Sequence, residues 1–371
     1  MAAFGAPQAA PQAPDYKCPS PMSDGISSLS LSNNNLLVAT SFDSSVRCYQ
    51  VAQQGQQLAA NAVAEVKSDG PVLCSDFNQD GSVYFAGAGD NTARMWQPGQ
   101  PTAQTIGRHE KPIKCIQYVQ MHNGLVITGG WDNSVKFWDT RQPNPIQSIT
   151  VAQRVYAMDI RSPLMVVATA DVPAHERQQN SPELRYVYTF NLQTFQHSTQ
   201  PHSMDPSPLK HQTRCIATFP DQTGYAIGSI EGRVAIQHVD ASKKDKNFAF
   251  KCHRQSGQQL VPGKQTSEVY AVNAIAFHPL GTFATAGSDG VFNFWDKDSK
   301  QRLKNFPRCN GSISAAKFSP SGNLFAYSVS YDWSKGREYY QPQAANDIFL
   351  HPVEASEVQP RPVKKQGVRG R

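Results

Sequence analysis

A six-residue spacing recurs along this chain and limits what it can fold into more than any other feature. An acidic residue in a Gly/Ser/Asn turn is followed six positions later by a large side chain at Asp43/Tyr49, Asp90/Trp96, Asp132/Trp138 and Asp289/Trp295. Glu231 in GSIEGRVAIQ repeats the turn with Gln237 in the aromatic position, and Asp332 in SYDWS marks a copy whose third strand is delayed. The 99-residue gap between Asp132 and Glu231 hides one degenerate copy, supplied by VYAMDIRSPLMVVATAD and RYVYTFNLQT. Units of about forty residues built from short strands cannot bury their faces alone and stack on their neighbours. Seven such units predict an all-β chain: a seven-bladed β-propeller with four-stranded blades.

The clearest copy is IKCIQYVQMHNGLVITGGWDNSVKFWDTR, Ile113 to Arg141. IKCIQYV, GLVITGG and SVKFWD are short runs rich in β-branched, aromatic and small residues, separated by turn chemistry at His122-Asn123-Gly124 and Asp132-Asn133. Trp138-Asp139 ends the third strand, as in a WD-repeat unit. With His109 ahead of it and Thr128 and Asp132 inside it, the copy holds a tetrad of imidazole, hydroxyl, carboxylate and indole N–H, whose members satisfy one another and brace the turns. The first three also offer a base, a hydroxyl and an acid, but their repeat positions favour bracing over catalysis. No G-x-S-x-G elbow, HExxH, P-loop or Rossmann fingerprint accompanies them. We expect no enzyme, no cofactor and no metal.

Radial repeats grow as one closed body, so 371 residues are read as a single folded domain, residues 17–353, between an Ala/Pro/Gln-rich disordered tail (1–16) and a basic disordered tail (354–371). The blades are placed at Ile26 to Val51, Val72 to Gln97, Ile113 to Thr140, Val155 to Thr194, Arg214 to Val239, Val272 to Asp298 and Ile313 to Val353. Lys17 to Gly25 is expected to supply the outer strand of the last blade and close the ring with N-terminal chain. The start MAAFGAPQAAPQAP lacks a basic n-region and an apolar core, so it does not read as a secretory signal, and its single Phe4-Gly5 pair is not a repeat. No run approaches a membrane span. Seven scattered cysteines without CxxC spacing read as small core residues in a reducing compartment.

Three stretches interrupt the pattern: VPAHERQQNSPELR in blade four, WSKGREYYQPQAAN in blade seven, and Asp240 to Glu268 between blades five and six. Insertions in a propeller emerge at the rims, where contact surfaces form. The chain carries a net charge of +6 unevenly: Lys243, Lys244, Lys246, Lys251, Arg254 and Lys264 cluster around one acid, Asp245, and Lys297, Lys300, Arg302, Lys304 and Arg308 follow. Phe250, His253 and Trp295 are interleaved with these cations. Such a surface stacks a nucleobase, or seats the apolar anchor of a peptide whose carboxylates meet the cations.

SPLKHQTRCIA, GSIEGRVAI, FKCHR, VYAVNAIAFHP, GSDGVFNFWDKD and AYSVSYDWSKG, all between Ser207 and Gly336, closely resemble the family of nuclear-pore mRNA export factors. These are WD-repeat proteins that bind the GLEBS segment of a GLFG-type nucleoporin, and the likeness runs from about Ile26 to Val353. The resemblance implies a nucleoporin partner, residence in the nucleus at the nuclear pore complex and nuclear envelope with shuttling to the cytoplasm, and a part in mRNA export. It implies an acidic segment laid across one propeller face and single-stranded RNA, or a messenger ribonucleoprotein, in a positively charged groove beside it. The residues carried over by motif are Arg233, Phe250, Lys251, Trp295, Asp296, Lys297, Lys300 and Arg302, with Arg254 beside them. Lys300 and Arg302 exchange the lysine and arginine of the family pattern while keeping the charge. Two alternatives stand: the related spindle-checkpoint propeller, which recognises GLEBS-like segments in kinases and implies mitotic checkpoint partners, and a substrate receptor of a cullin-based ubiquitin ligase through Trp138-Asp139-Thr140-Arg141.

Overall fold

The structure is a computed structural model that describes residues 15–55, 57–87, 89–121, 124–173, 185–194, 200–257 and 266–362. Several expectations fall outside them: the Phe4-Gly5 pair, the His122-Asn123 turn, most of the blade-four insertion, Lys264, and the last basic residues from Lys364 onward.

The described strands form seven four-stranded antiparallel sheets and one two-stranded hairpin. Blade three shows the plan, with inner strand Ile113–Val119, then Leu125–Gly130, then Ser134–Trp138, and outer strand Gln147–Thr150. Successive strands run antiparallel, so the start of the inner strand and the turn after the second strand share one face of the ring, here called the tetrad face. The Trp-Asp strand ends lie on the opposite face. Second strands such as Leu164–Thr169 and Gly224–Ser229 are buried at every position, because each blade is covered on both sides by its neighbours. Outer strands are mostly exposed, as in Gln57–Lys67.

The ring closes as expected. Tyr16–Lys17 pairs with Asp347–Pro352 as the outer strand of blade seven, and Cys18 N–H donates to the Ile348 carbonyl at 2.8 Å. Cys18 and Met22 are buried against blade one, so this segment locks the first sheet to the last. Polar links join neighbouring inner strands. Asp76 of blade two accepts from Tyr118 N–H of blade three at 2.9 Å, and Asp159 of blade four accepts from Thr218 N–H of blade five at 2.6 Å.

Two boundaries are corrected. Asp15 and Tyr16, assigned to the N-terminal tail, are held in blade seven, where Asp15 contacts His351 and Tyr327. Residues 354–362, assigned to a free basic tail, include a helical turn, Ala355–Val358, whose Glu357 and Val358 are each 2% exposed. A buried valine and a partnered carboxylate outweigh the polar composition that suggested disorder. The expected insertion Asp240 to Glu268 is also not one element. It contains a 3-10 turn, Ala241–Lys246, then the outer strand of blade five, Phe248–Lys251, then a hairpin of Arg254–Ser256 with Ser267–Val269.

Candidate functional site

The blade-three tetrad is assembled. Trp138 Nε1–H donates to Thr128 Oγ1 at 2.8 Å, Thr128 Oγ1 lies 2.7 Å from His109 Nε2, and His109 Nδ1 lies 2.9 Å from Asp132. Burial alone would raise the Asp132 pKa, but hydrogen bonds from His109 and Ser134 override it and hold the carboxyl below the usual range. His109 and Thr128 are 1% and 0% exposed, which seals this base and hydroxyl away from any substrate.

Blade six repeats the arrangement in a form the sequence concealed. Trp295 Nε1–H donates to Thr285 Oγ1 at 2.9 Å, Thr285 meets His253 Nε2 at 2.9 Å, and His253 Nδ1 meets Asp289 at 2.8 Å. The hairpin Arg254–Ser256 with Ser267–Val269 separates His253 from its inner strand at Val272, which hides the repeat spacing. His253 and Trp295, expected as ligand-facing rings, therefore brace the blade. His253 is buried and takes no part in a surface.

Trp295 also keeps an outward role. It is half-buried, its ring lies 4.8 Å from Phe250 of blade five, and Arg302 stands 5.9 Å above it. Phe250 neighbours Phe248 at 6.1 Å, and Lys300 Nζ lies 4.7 Å over Phe248. Phe248, Phe250, Trp295, Lys300 and Arg302 thus gather into one aromatic and cationic strip between blades five and six, where the positively charged groove was expected. Exposed Lys244 and Lys246 come from the loop that leads into Phe248–Lys251.

Other expected members stand apart. Lys297 packs over Phe219 at 5.1 Å and pairs with Asp298 at 2.9 Å, leaving 9% of its side chain exposed. Asp296 accepts from Asp298 N–H, Ser299 Oγ and Arg361 N–H at 2.7 to 3.0 Å, so it organises a turn. Arg233 and Lys251 are directly opposed across blade five. Adjacent strand residues point to opposite faces, so Lys251 turns away from the groove that Phe250 enters. Arg233, Arg254 and His211 gather around Glu231 at 3.4, 3.7 and 3.6 Å on the tetrad face. The residues expected to share one surface therefore lie in two places, Phe250 with Trp295 on one side of the blade-five sheet and Arg233 with Lys251 on the other. Trp138-Asp139-Thr140-Arg141 ends in a closed pair, with Arg141 Nε and Nη2 donating to Asp139 at 2.7 and 2.6 Å.

The tetrad face also carries a feature that repeat spacing could not reveal. The mouth of the central channel is a cavity of about 680 Å³ lined by Phe42, Trp131, Tyr156 and Trp333 together with Lys114 and Arg214. Trp333 stacks on Tyr340 at 5.1 Å, which places the blade-seven insertion at its rim. Trp131 Nε1 and Thr213 Oγ1 are buried there without a hydrogen-bond partner among the described residues. Asp332, the one acid in the lining, is engaged by Ser288 and by Asn273 Nδ2 at 2.6 Å. The mouth presents donors and rings, which suits an anionic ligand with apolar anchors.

Closed four-stranded blades, Trp-Asp strand ends and buried His–Thr–Asp–Trp chains define a WD-repeat β-propeller, and residues 63–97, 100–139 and 261–296 match the family described as WD domain, G-beta repeat. The chain is 41% identical over 355 residues to the poly(A)+ RNA export protein of Schizosaccharomyces pombe, covering 94% of each. It is 40% identical over 363 residues to the mRNA export factor GLE2 of Chaetomium thermophilum, covering 95% of this chain and 94% of that one. It is 45% identical over 380 residues to Protein RAE1 of Arabidopsis thaliana, covering the whole of both. The chain belongs to the family of WD-repeat mRNA export factors.

Proposed function

We propose that this chain is a non-enzymatic adaptor in mRNA export, which holds the acidic GLEBS segment of a GLFG-type nucleoporin across its tetrad face and single-stranded RNA in the groove between blades five and six. The observation that carries this reading is the division of cations and rings into two surfaces on either side of blade five. Arg233, Lys251, Arg254 and the aromatic mouth suit a disordered acidic peptide, which is ordered by charge-assisted hydrogen bonds and anchored by apolar side chains. Phe250, Trp295, Lys300 and Arg302 suit a strand whose bases stack while its phosphates meet the cations. A nucleoporin partner entails work at the nuclear pore complex, inside the nucleus and at its envelope.

Titration calorimetry with a synthetic GLEBS segment on the full chain, beside its Arg233→Glu variant, tests the peptide half. Arg233 keeps 35% of its side chain exposed and already pairs with Glu231, so charge reversal should cost about 1 kcal/mol and leave the ring folded. A parent chain that binds no such peptide contradicts the reading.

A further inference from the structure

Every inner strand opens with the same irregularity. Lys114 stands unpaired between Ile113 and Cys115 of blade three, the extra residue of a bulge. The other six blades carry a bulge at the equivalent place, and all seven extra residues line the channel mouth. Three of them tie blade to blade: Ser27 Oγ, Asn273 Nδ2 and Ser314 Oγ donate to the carbonyls of Val72, Ile313 and Ile26 in the next blade at 2.6, 3.0 and 2.7 Å. A fourth, Leu73, is apolar.

The remaining three, Lys114, Tyr156 and Arg214, come from consecutive blades and keep donors for a ligand. The Lys114 ammonium and the Tyr156 hydroxyl have no hydrogen-bond partner among the described residues. Arg214 Nη2 donates to Asn273 Oδ1 at 3.2 Å and lies 3.5 Å from the Asp332 carbonyl, which leaves the rest of its N–H fork. The two cations converge: burial raises the Cys215 thiol pKa, and the charges of Arg214 and Lys114 both oppose it. The Arg154 guanidinium lies 5.6 Å from the Tyr156 ring and adds a third positive charge. The nearby channel acids are engaged, Asp332 by Ser288 and Asn273, and Asp76 and Asp159 by the N–H groups of neighbouring blades. Gln212 and Arg214 line the mouth while His211, in the same loop, pairs with Glu231, so the cationic patch of blade five runs into the mouth.

We propose that the mouth reads one carboxylate of the acidic peptide, with Lys114, Tyr156 and Arg214 binding it inside the ring of bulges while the patch around Glu231 meets another part of the same peptide. The inference rests on the peptide half of the function given above and deepens it. Lys114, Tyr156 and Arg214 are contact residues that set specificity, because a charge-assisted cradle favours a carboxylate over the neutral amide of the same shape.

The test is titration calorimetry of the full chain with the synthetic GLEBS segment and with copies that each carry one Glu→Gln or Asp→Asn change. One of these changes should weaken binding to the parent chain at least about tenfold, the loss expected when a carboxylate leaves its cations unpaired. Against Lys114→Met with Arg214→Met the same change should cost less than about twofold, because its partners are gone. Tyr156→Phe removes one O–H and no carbon, and should weaken the unmodified segment about threefold with an unchanged thermal melt. If the double variant and Tyr156→Phe both bind the unmodified segment like the parent, the inference is overturned and the peptide reading survives. If each altered copy loses the same affinity for the parent and the double variant, the inference is likewise overturned. If the parent binds no such segment, the peptide reading itself fails.

Discussion

Phe250 and Trp295 come from neighbouring blades, and their rings lie 4.8 Å apart at 51°. Blade two carries Gly107 opposite Ala93, the position that Phe250 holds opposite Val234 in blade five. A Cβ on Gly107 would stand 2.1 Å from the Trp138 ring, so glycine there lets the bracing indole sink to 2% exposure. Phe250 prevents the same in blade six, leaving Trp295 half-buried beneath Arg302. One residue in an outer strand thus turns an internal brace into part of a groove.

Phe250→Ala should weaken single-stranded RNA binding by about 1 to 3 kcal/mol, the range for one lost base–aromatic stack. Its half-buried ring contributes roughly 1 to 2 kcal/mol to the fold, so the variant stays folded. Anisotropy titration beside a thermal melt checks both numbers, and parent-like RNA affinity removes the ring from the groove.

Thr128→Val keeps the shape of the blade-three tetrad but deprives the Trp138 N–H and His109 Nε2 of their partner. Each buried group left unsatisfied costs about 1 to 3 kcal/mol. Urea denaturation should report a loss in that range or above it, and a neutral result would deny the bracing role.

The ring was legible in the sequence because its second and third strands are buried on both faces and end in fixed turn chemistry. The acid-to-aromatic spacing of six therefore marked four of the seven blades, and the turn acids Glu231 and Asp332 marked two more. Outer strands escaped because they face solvent: Gln147–Thr150 buries only Ile149. The blade-six tetrad escaped because a hairpin parts His253 from its strand, and the channel mouth because it gathers residues from several blades. The site was read as one surface because strand neighbours such as Phe250 and Lys251 are adjacent in sequence yet point to opposite sides of a sheet.

His351 sets a pH dependence. Burial lowers its pKa, but hydrogen bonds to Asp15 and Glu357 override that effect and raise it from 6.5 to about 9, with Lys304 and Tyr327 also facing the carboxylates. A folded value above the unfolded one means that the stabilisation is fully present below about pH 6.5 and is lost as pH rises through about 9. The stability difference between parent and His351→Gln should therefore be large at pH 6 and small at pH 10. A difference that grows with pH contradicts the assignment.

Ring closure depends on the segment that contains Tyr16–Lys17. A chain beginning at Ser23 lacks the outer strand of blade seven and the buried Cys18 and Met22, and should lose more than about 3 kcal/mol. A chain beginning at Asp15 should match the parent. Equal melting temperatures for the two would show that blade seven stands without its fourth strand.

The central claim is that RNA lies against blades five and six while the tetrad face remains free for an acidic peptide. Ultraviolet cross-linking of a uridine-rich single strand to the full chain, with the linked residues mapped by mass spectrometry, tests it most directly. Cross-links should concentrate at Phe248, Phe250 and Trp295 and persist when a saturating acidic peptide is added. Cross-links at Trp131, Tyr156 and Trp333 instead, displaced by the peptide, would contradict it.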